Sequence, residues 1–472
     1  MKVSASAAIT LSIGLILGGC ELLNDVTSPD PGSTDTIVFS SHIQPLFDTH
    51  CTGCHSGETA DAGLRFDSWS NTMLGSKHGE AVIPYAAGHS LMIRLVTDLP
   101  GDPHPVNEGN EGLSAAEVAL LERWIDEGAL DDDGTVPFAD SNDLLYVCNR
   151  DEASISVIDT KAKLVIRRLD LVKLGFTENA APYDVVVEPG GEQWYVSLAG
   201  DNAVLKFSRA NELVAQAAVT FPGLLALHPT NGILYAGRAL NSAQAPASIV
   251  AIRRSDMFVD EIPVVFSRPH ALAVRPQGDV VFSAGFDVDQ LMAIQSGTSS
   301  VTFTPITGPL HSMGHFAISP DGNWMWGSGW ASSLMTLFDI SNPQAVQQRQ
   351  SIPVAADPRQ AAILPNSSAL YISGNQDDVV TVVDFSSTQV RKVISGNGMS
   401  EPNGIAVTGD NRFVFVSNAN TAGGYIPRYD FRDNDRTGTV VVIDTAIDEI
   451  VKVIEVGKRA SGLGMKPGAI GF

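Results

Sequence analysis

Cysteine is scarce in this 472-residue chain, with four residues at positions 20, 51, 54 and 148. That is too few for the disulfide framework of an exported protein. Positive charge is scarce as well: 30 Lys and Arg face 53 Asp and Glu, for a net charge of -23. A surface of that sign repels a polyanion, which excludes nucleic-acid binding. The charge either keeps an exported protein soluble or docks a basic redox partner, and salt-dependent kinetics separate the two. The apolar stretch from Ala7 to Leu17 is too short to cross a bilayer. No nucleophile elbow, phosphate loop or zinc-protease helix occurs, so hydrolysis and phosphoryl transfer have no positive support.

What is present is a folding composition. Hydrophobic residues make up 44% and charged residues 18%, with 43 glycines, as in a turn-rich chain with large cores. The length suggests two or three domains, and two are enough.

A weakly basic start at Lys2, the apolar stretch, and Leu17-Gly18-Gly19-Cys20 form a short N-terminal signal. It resembles a bacterial lipoprotein signal, which implies cleavage after residue 19 and a lipid anchor on Cys20. The segment 20–36 is rich in Asp, Ser, Thr, Pro and Gly and reads as a flexible tether reaching about 20 Å. Glu21, rather than Asp, follows the cysteine, which favours the outer membrane, on its periplasmic or cell-surface face.

Cys51-Thr52-Gly53-Cys54-His55 spaces two thiols to add to the two vinyl groups of one haem while the adjacent imidazole binds its iron. No second cysteine pair completes a zinc site, and no second such motif exists, so the expected cofactor is one covalently bound haem c. Ile43, Leu46 and Phe47 fall at helical spacing before the motif and are expected to bury one face against the porphyrin. Ser114 to Glu117 is a capping box opening a second helix, whose stripe of Val118, Leu121, Trp124 and Ile125 ends at Gly128.

The run Ile43-Gln44-Pro45-Leu46-Phe47, the haem motif, Gly63-Leu64-Arg65-Phe66-Asp67 and Trp124-Ile125-Asp126-Glu127-Gly128-Ala129 resemble, in that order, the planctomycete-type cytochrome c domain. The resemblance implies a small all-α cytochrome over 37–133. That family usually places an axial Met in a Met-Pro-Pro turn before the last helix. Here the region reads Asp102-Pro103-His104-Pro105-Val106, so His104 is the expected distal iron ligand opposite His55. Met92 is the main competitor; Met73, His78 and His89 are others, and an open pentacoordinate iron is a further alternative.

After the acidic run 131–133 the chain changes to short β-rich segments with a repeat. An apolar strand ends in a turn at Pro189, Pro229, Pro276, Pro320, Pro365, Gly409 and Pro467, in steps of 40, 47, 44, 45, 44 and 58. Each period supplies a four-stranded blade, and the last strand completes the first blade, predicting a seven-bladed β-propeller over 141–472. Tyr146-Val147-Cys148-Asn149 and Val441-Val442-Ile443-Asp444 resemble the YVTN family of propellers, which implies a fold more than an activity. Cys148 reads as a buried, inert thiol and His228 as structural.

The seventh period is long because of an aromatic and basic loop holding Tyr425, Pro427, Arg428, Tyr429, Arg432 and Arg436, a candidate partner-contact segment. The residues entering the innermost strands are read as Tyr183, Gly223, His270, His315, Arg359, Asn403 and Gly462. Tyr183, His270, His315, Arg359 and Asn403, with His311 beside them, form a candidate channel site for an anion, a metal or a second cofactor; the alternative is a wet channel lining.

Three functions fit. The leading one is a membrane-anchored mono-haem electron carrier whose propeller is a partner- or substrate-binding platform. The second is a redox enzyme with a second cofactor or metal in the channel, the layout of cytochrome-type nitrite reductases, whose propellers have eight blades. The third is an adhesion or protein-binding propeller with a redox-sensing haem.

Overall fold

The computed structural model describes residues 36–97, 104, 112–240, 245–297 and 300–467. The expected signal peptide, Cys20 and the tether up to residue 35 lie outside the described residues, as does most of the turn around His104. Among the described residues no helix is long and apolar enough to cross a membrane.

The N-terminal domain is small and helical. A π-helical turn, Phe39–Ile43, feeds α1 (Gln44–His50), followed by α2 (Trp69–Met73), α3 (Leu91–Thr97) and α4 (Ala115–Asp126). Pro45 sits in the first turn of α1, where its missing N–H costs nothing. The capping box at α4 is present in both directions: Ser114 accepts from the Glu117 N–H, and the Glu117 carboxylate accepts from the Ser114 N–H at 2.7 Å. The core is aromatic. Phe47 packs on Phe66 at 4.7 Å between centroids, and Trp124 packs on Phe39 at 5.6 Å. Ile43 and Phe47 are therefore spent on this core, with Leu46 at its edge, rather than on the face where the porphyrin was expected.

Seven four-stranded antiparallel sheets form the second domain. The strand Ala460–Met465 pairs with Leu144–Asn149 as the innermost strand of blade 1, so the last of the described strands closes the ring by joining the first blade. A repeated serine holds neighbouring blades together. Ser197, Ser328 and Ser373, on second strands, donate to the carbonyls of Gly223, Arg359 and Asn403 on the next innermost strand, at 2.7, 3.2 and 2.6 Å; Ser417 does the same to Ser461. Cys148 occupies the equivalent place in blade 1, fully buried, its thiol pushed up by that burial. His228 is also structural: its Nε2 lies 2.7 Å from the Gly278 carbonyl, and its Nδ1 accepts from the N–H groups of Thr230 and Asn231.

The two domains are packed together along blades 7 and 1. Ile83 and Ala86 enter a core with Val147, Val165, Val440 and Ile454. Glu80 accepts from the Val165 N–H, and the Lys452 ammonium donates to the Lys77 carbonyl at 3.1 Å. Phe138, in the linker, touches the cores of both domains. The long loop of blade 7 folds back onto the helical domain: Arg94 lies over the Phe431 ring at 4.0 Å and pairs with Asp433. The contact surface expected of that loop is thus turned, at least in part, toward the protein's own first domain.

Candidate functional site

The haem motif begins where α1 ends. Cys51 caps the helix, its N–H donating to the Phe47 carbonyl, and the next turn closes with His55 N–H to Cys51 O at 2.9 Å. The Phe66 N–H then donates to the His55 carbonyl at 2.8 Å, and the Phe66 ring meets the His55 imidazole edge-on at 5.6 Å. These contacts fix the imidazole relative to both sulfurs. Cys51 is half-buried, with its thiol pushed up to about 12 by desolvation, while Cys54 is exposed.

All three side chains line a cavity of 360 Å³. Its walls are apolar, from Leu64 and Phe66, from Leu91, Met92, Leu95 and Val96 on α3, and from Leu121 on α4. His104 stands across it from His55, with ring centroids 6.0 Å apart and planes at 41°. Arg428 and Tyr429, from the propeller's long loop, also reach this cavity. The loop is braced by Glu455, whose carboxylate accepts from the Tyr425 hydroxyl at 2.8 Å and the Arg428 N–H at 2.9 Å.

The second site is the mouth of the propeller channel, a cavity of 180 Å³. The innermost strands contribute Tyr183, Leu224, His270, Gly314, Arg359, Gln360, Asn403 and Ser461; Arg150, Arg459, Trp330 and Glu401 come from the intervening loops. Three of the expected strand residues give way to a neighbour. Gly223, His315 and Gly462 do not line this cavity; Leu224, Gly314 and Ser461 do. Each innermost strand bulges near its start, as between Met313 and His315, and a one-residue slip sends a side chain to the other face. His315 Nδ1 instead accepts from the Ala361 N–H at 3.4 Å, matching the bridges Asp184 and Gln360 make to the N–H groups of Leu225 and Ile405. Gly314 is required by close approach: a Cβ there would meet Trp330 Nε1 at 1.8 Å. His311 is buried nearby, bonded to Ser332 and Thr307 rather than lining the mouth.

Residues 51–103 match the family model described as Planctomycete cytochrome C. The chain joins a cytochrome c domain of this type to a seven-bladed propeller. No curated protein matches it in sequence. Among solved structures, a functionally unknown protein from Desulfotomaculum acetoxidans superposes with a TM-score of 0.57 at 13% identity, over 69% of this chain and 100% of its own. Hydrazine synthase from Kuenenia stuttgartiensis gives 0.48 at 16% identity, over 61% of this chain and 90% of its own. Dihydro-heme d1 dehydrogenase NirN in complex with DHE gives 0.48 at 15%, over 91% and 99%. The first of these likenesses is one of fold.

The residues of the cytochrome domain fit a haem. The cavity is apolar where a macrocycle would lie, and two thiols sit at one edge. Two imidazoles that share one metal at about 2 Å per bond hold their centroids about 6 Å apart, the separation seen between His55 and His104. His55 Nδ1 is buried without a partner among the described residues, leaving its orientation to the contacts of Phe66. Of the competing ligands, Met92 and His78 line the cavity; Met73 is in the core, and His89 lies at the interdomain seam, pushed down to about 4 by burial. Sequence reasoning missed Arg150, Arg459 and Trp330 at the channel mouth. Their signal was available only as loop residues following a recognisable strand.

Proposed function

We propose that this protein is a membrane-anchored electron carrier with one covalently attached haem. Cys51 and Cys54 hold the haem, and His55 and His104 ligate its iron. A bound haem supplies reversible one-electron exchange at a potential that bis-histidine ligation sets below that of a His/Met pair. The observation that carries the reading is the placement of the two thiols and His55 along one apolar cavity with His104 facing them. The apolar side chains of α3 and α4 keep water from the macrocycle, and Cys54, exposed, leaves the thioether edge near the surface where a partner can approach. Arg428 lies where it can offset negative charge at the rim of the cavity.

In this reading the propeller is the rigid platform against which the haem domain is set and on which a partner docks, and the strongly acidic chain selects a basic redox protein. Cys20 carries the lipid that ties the exported chain to the outer membrane. Electron carriage is preferred over an enzyme with a second macrocycle in the channel because the channel mouth has half the volume of the haem cavity.

His104→Ala tests the ligand set. The reduced spectrum of the purified protein is expected to lose its low-spin bands, with Met92→Ala leaving them in place. An unchanged spectrum in His104→Ala, with loss in Met92→Ala, moves the distal ligand to Met92. Cys20→Ala is expected to release the protein from the membrane fraction.

A further inference from the structure

At the channel mouth three guanidinium groups converge, and one of them lacks a direct carboxylate partner. Arg359 pairs with Asp357 at 2.6 Å and Arg459 with Asp151 at 3.3 Å. Arg150 has no carboxylate partner among the described residues; its guanidinium lies 4.8 Å from the Tyr183 ring centroid. Desolvation, the largest influence on it, holds Arg150 below the ordinary guanidinium range. Asp151, paired with Arg459, acts on it only from a distance, and a half-buried cation held off its counter-ion is open to a second anion.

The other groups in the lining make no direct ion pair with it among the described residues. Glu401 is the lining carboxylate, and it is committed to Thr421 and Ala422, accepting from both backbone N–H groups and from the Thr421 hydroxyl. His270 Nδ1 is within 2.9 Å of the Arg238 carbonyl and must carry its proton toward it, which leaves Nε2 as an acceptor 3.5 Å from the Tyr183 hydroxyl. The imidazole is neutral, pushed down to about 4 by burial. Meanwhile a donor is unused. Among the described residues Arg359 Nε is buried without a partner, and the Gln360 oxygen accepts from the Ile405 N–H. Among the described residues no three His, Cys, Asp or Glu side chains gather as metal ligands.

We infer that the channel mouth binds a small oxyanion of one or two negative charges, held by Arg150 and Arg359 against the Tyr183 and Trp330 rings. The cavity of 180 Å³ is the space of about six liquid waters, enough for a phosphate or a short dicarboxylate. It shares no lining residue with the haem cavity, so this site goes beyond the electron-carrier reading and does not depend on it.

The test uses the full-length haem protein and isothermal titration with phosphate, nitrate and succinate, with dimethyl succinate as the uncharged comparison. Because Arg359 stacks on Trp330 at 4.1 Å, tryptophan fluorescence gives a second readout. At least one anion is expected to bind with a Kd at or below about 1 mM in low salt, and Arg150→Gln is expected to weaken it by about tenfold or more. Arg150→Gln breaks no intrachain ion pair and so keeps the test intact even where Arg359→Gln unfolds the blade. The diester is expected to give no signal. Absence of binding by all three anions, equal binding by Arg150→Gln, or equal binding of the diester would overturn the inference, and the haem spectrum recorded on the same samples keeps the two readings separable.

Discussion

The haem cavity and the channel mouth differ first in where their walls come from. The cavity is built from a short stretch of chain, Cys51 to Phe66, with α3 and α4 around it, and only Arg428 and Tyr429 arrive from far away. The mouth draws residues from all seven blades, spread from Arg150 to Ser461. They differ also in chemistry. One is lined by Leu, Met, Val and Phe with two thiols at its edge; the other is lined by arginines and amides over aromatic rings. An apolar cavity built locally suits a large macrocycle fixed by covalent bonds, while a polar one built from a ring of blades suits a small charged ligand that comes and goes.

The sharpest way to separate them is to remove both thiols. Cys51→Ala with Cys54→Ala is expected to abolish covalent haem entirely, read as the loss of one haem from the intact mass, while oxyanion binding at the channel stays as it was. Loss of both together would show that the two regions are coupled.

Next in size are the cores. Trp124→Ala is expected to cost about 3–5 kcal/mol in the cytochrome domain, and Trp326→Ala a similar amount in the propeller, since both side chains are fully buried. Differential scanning calorimetry is expected to show each variant lowering a different transition. One shared transition displaced by both would make the molecule a single cooperative unit.

The seam between the regions carries a pH dependence. Burial pushes the Glu80 carboxyl up to about 7, ahead of the opposing influence of the Val165 N–H and of Lys452, with Glu455 reinforcing it. The fold therefore holds the proton more tightly than the unfolded chain does. Its contribution is fully present below the unfolded carboxyl range, about 4.3, and is lost as pH rises through about 7. Glu80→Gln is expected to flatten the fall in melting temperature between pH 5 and pH 8 to a measurable extent; an unchanged slope would remove Glu80 from the seam's titration.

A smaller effect is expected at the blade ties, where Ser373→Ala removes the hydrogen bond to the Asn403 carbonyl and costs about 1 kcal/mol by urea titration, leaving the haem spectrum unchanged. Smaller still, Arg94→Ala is expected to cost about 0.5–1 kcal/mol, because its ion-pair partner Asp433 is largely exposed and the buried Phe431 ring keeps its other neighbours.

The difference between the two regions also explains what could be read from sequence. The haem motif is contiguous and falls in the stretch that matches the family model, and the blade markers are turns that end each innermost strand, so blade number and ring closure were legible. Gly223, His315 and Gly462 were misplaced by one residue because the bulge at the head of each innermost strand has no mark of its own in the sequence. The return of Arg428 and Tyr429 to the haem cavity was not legible either, since it joins segments more than 300 residues apart. Ile43 and Phe47 were given the right burial and the wrong neighbour: helical spacing states that a face is covered, and the aromatic core of Phe39, Phe66 and Trp124 covers it.

The most direct test of covalent attachment is a pyridine haemochrome spectrum of the purified protein before and after acid-acetone extraction. One haem per chain that resists extraction is the expected result. Haem that extracts fully, or more than one haem per chain, would contradict it.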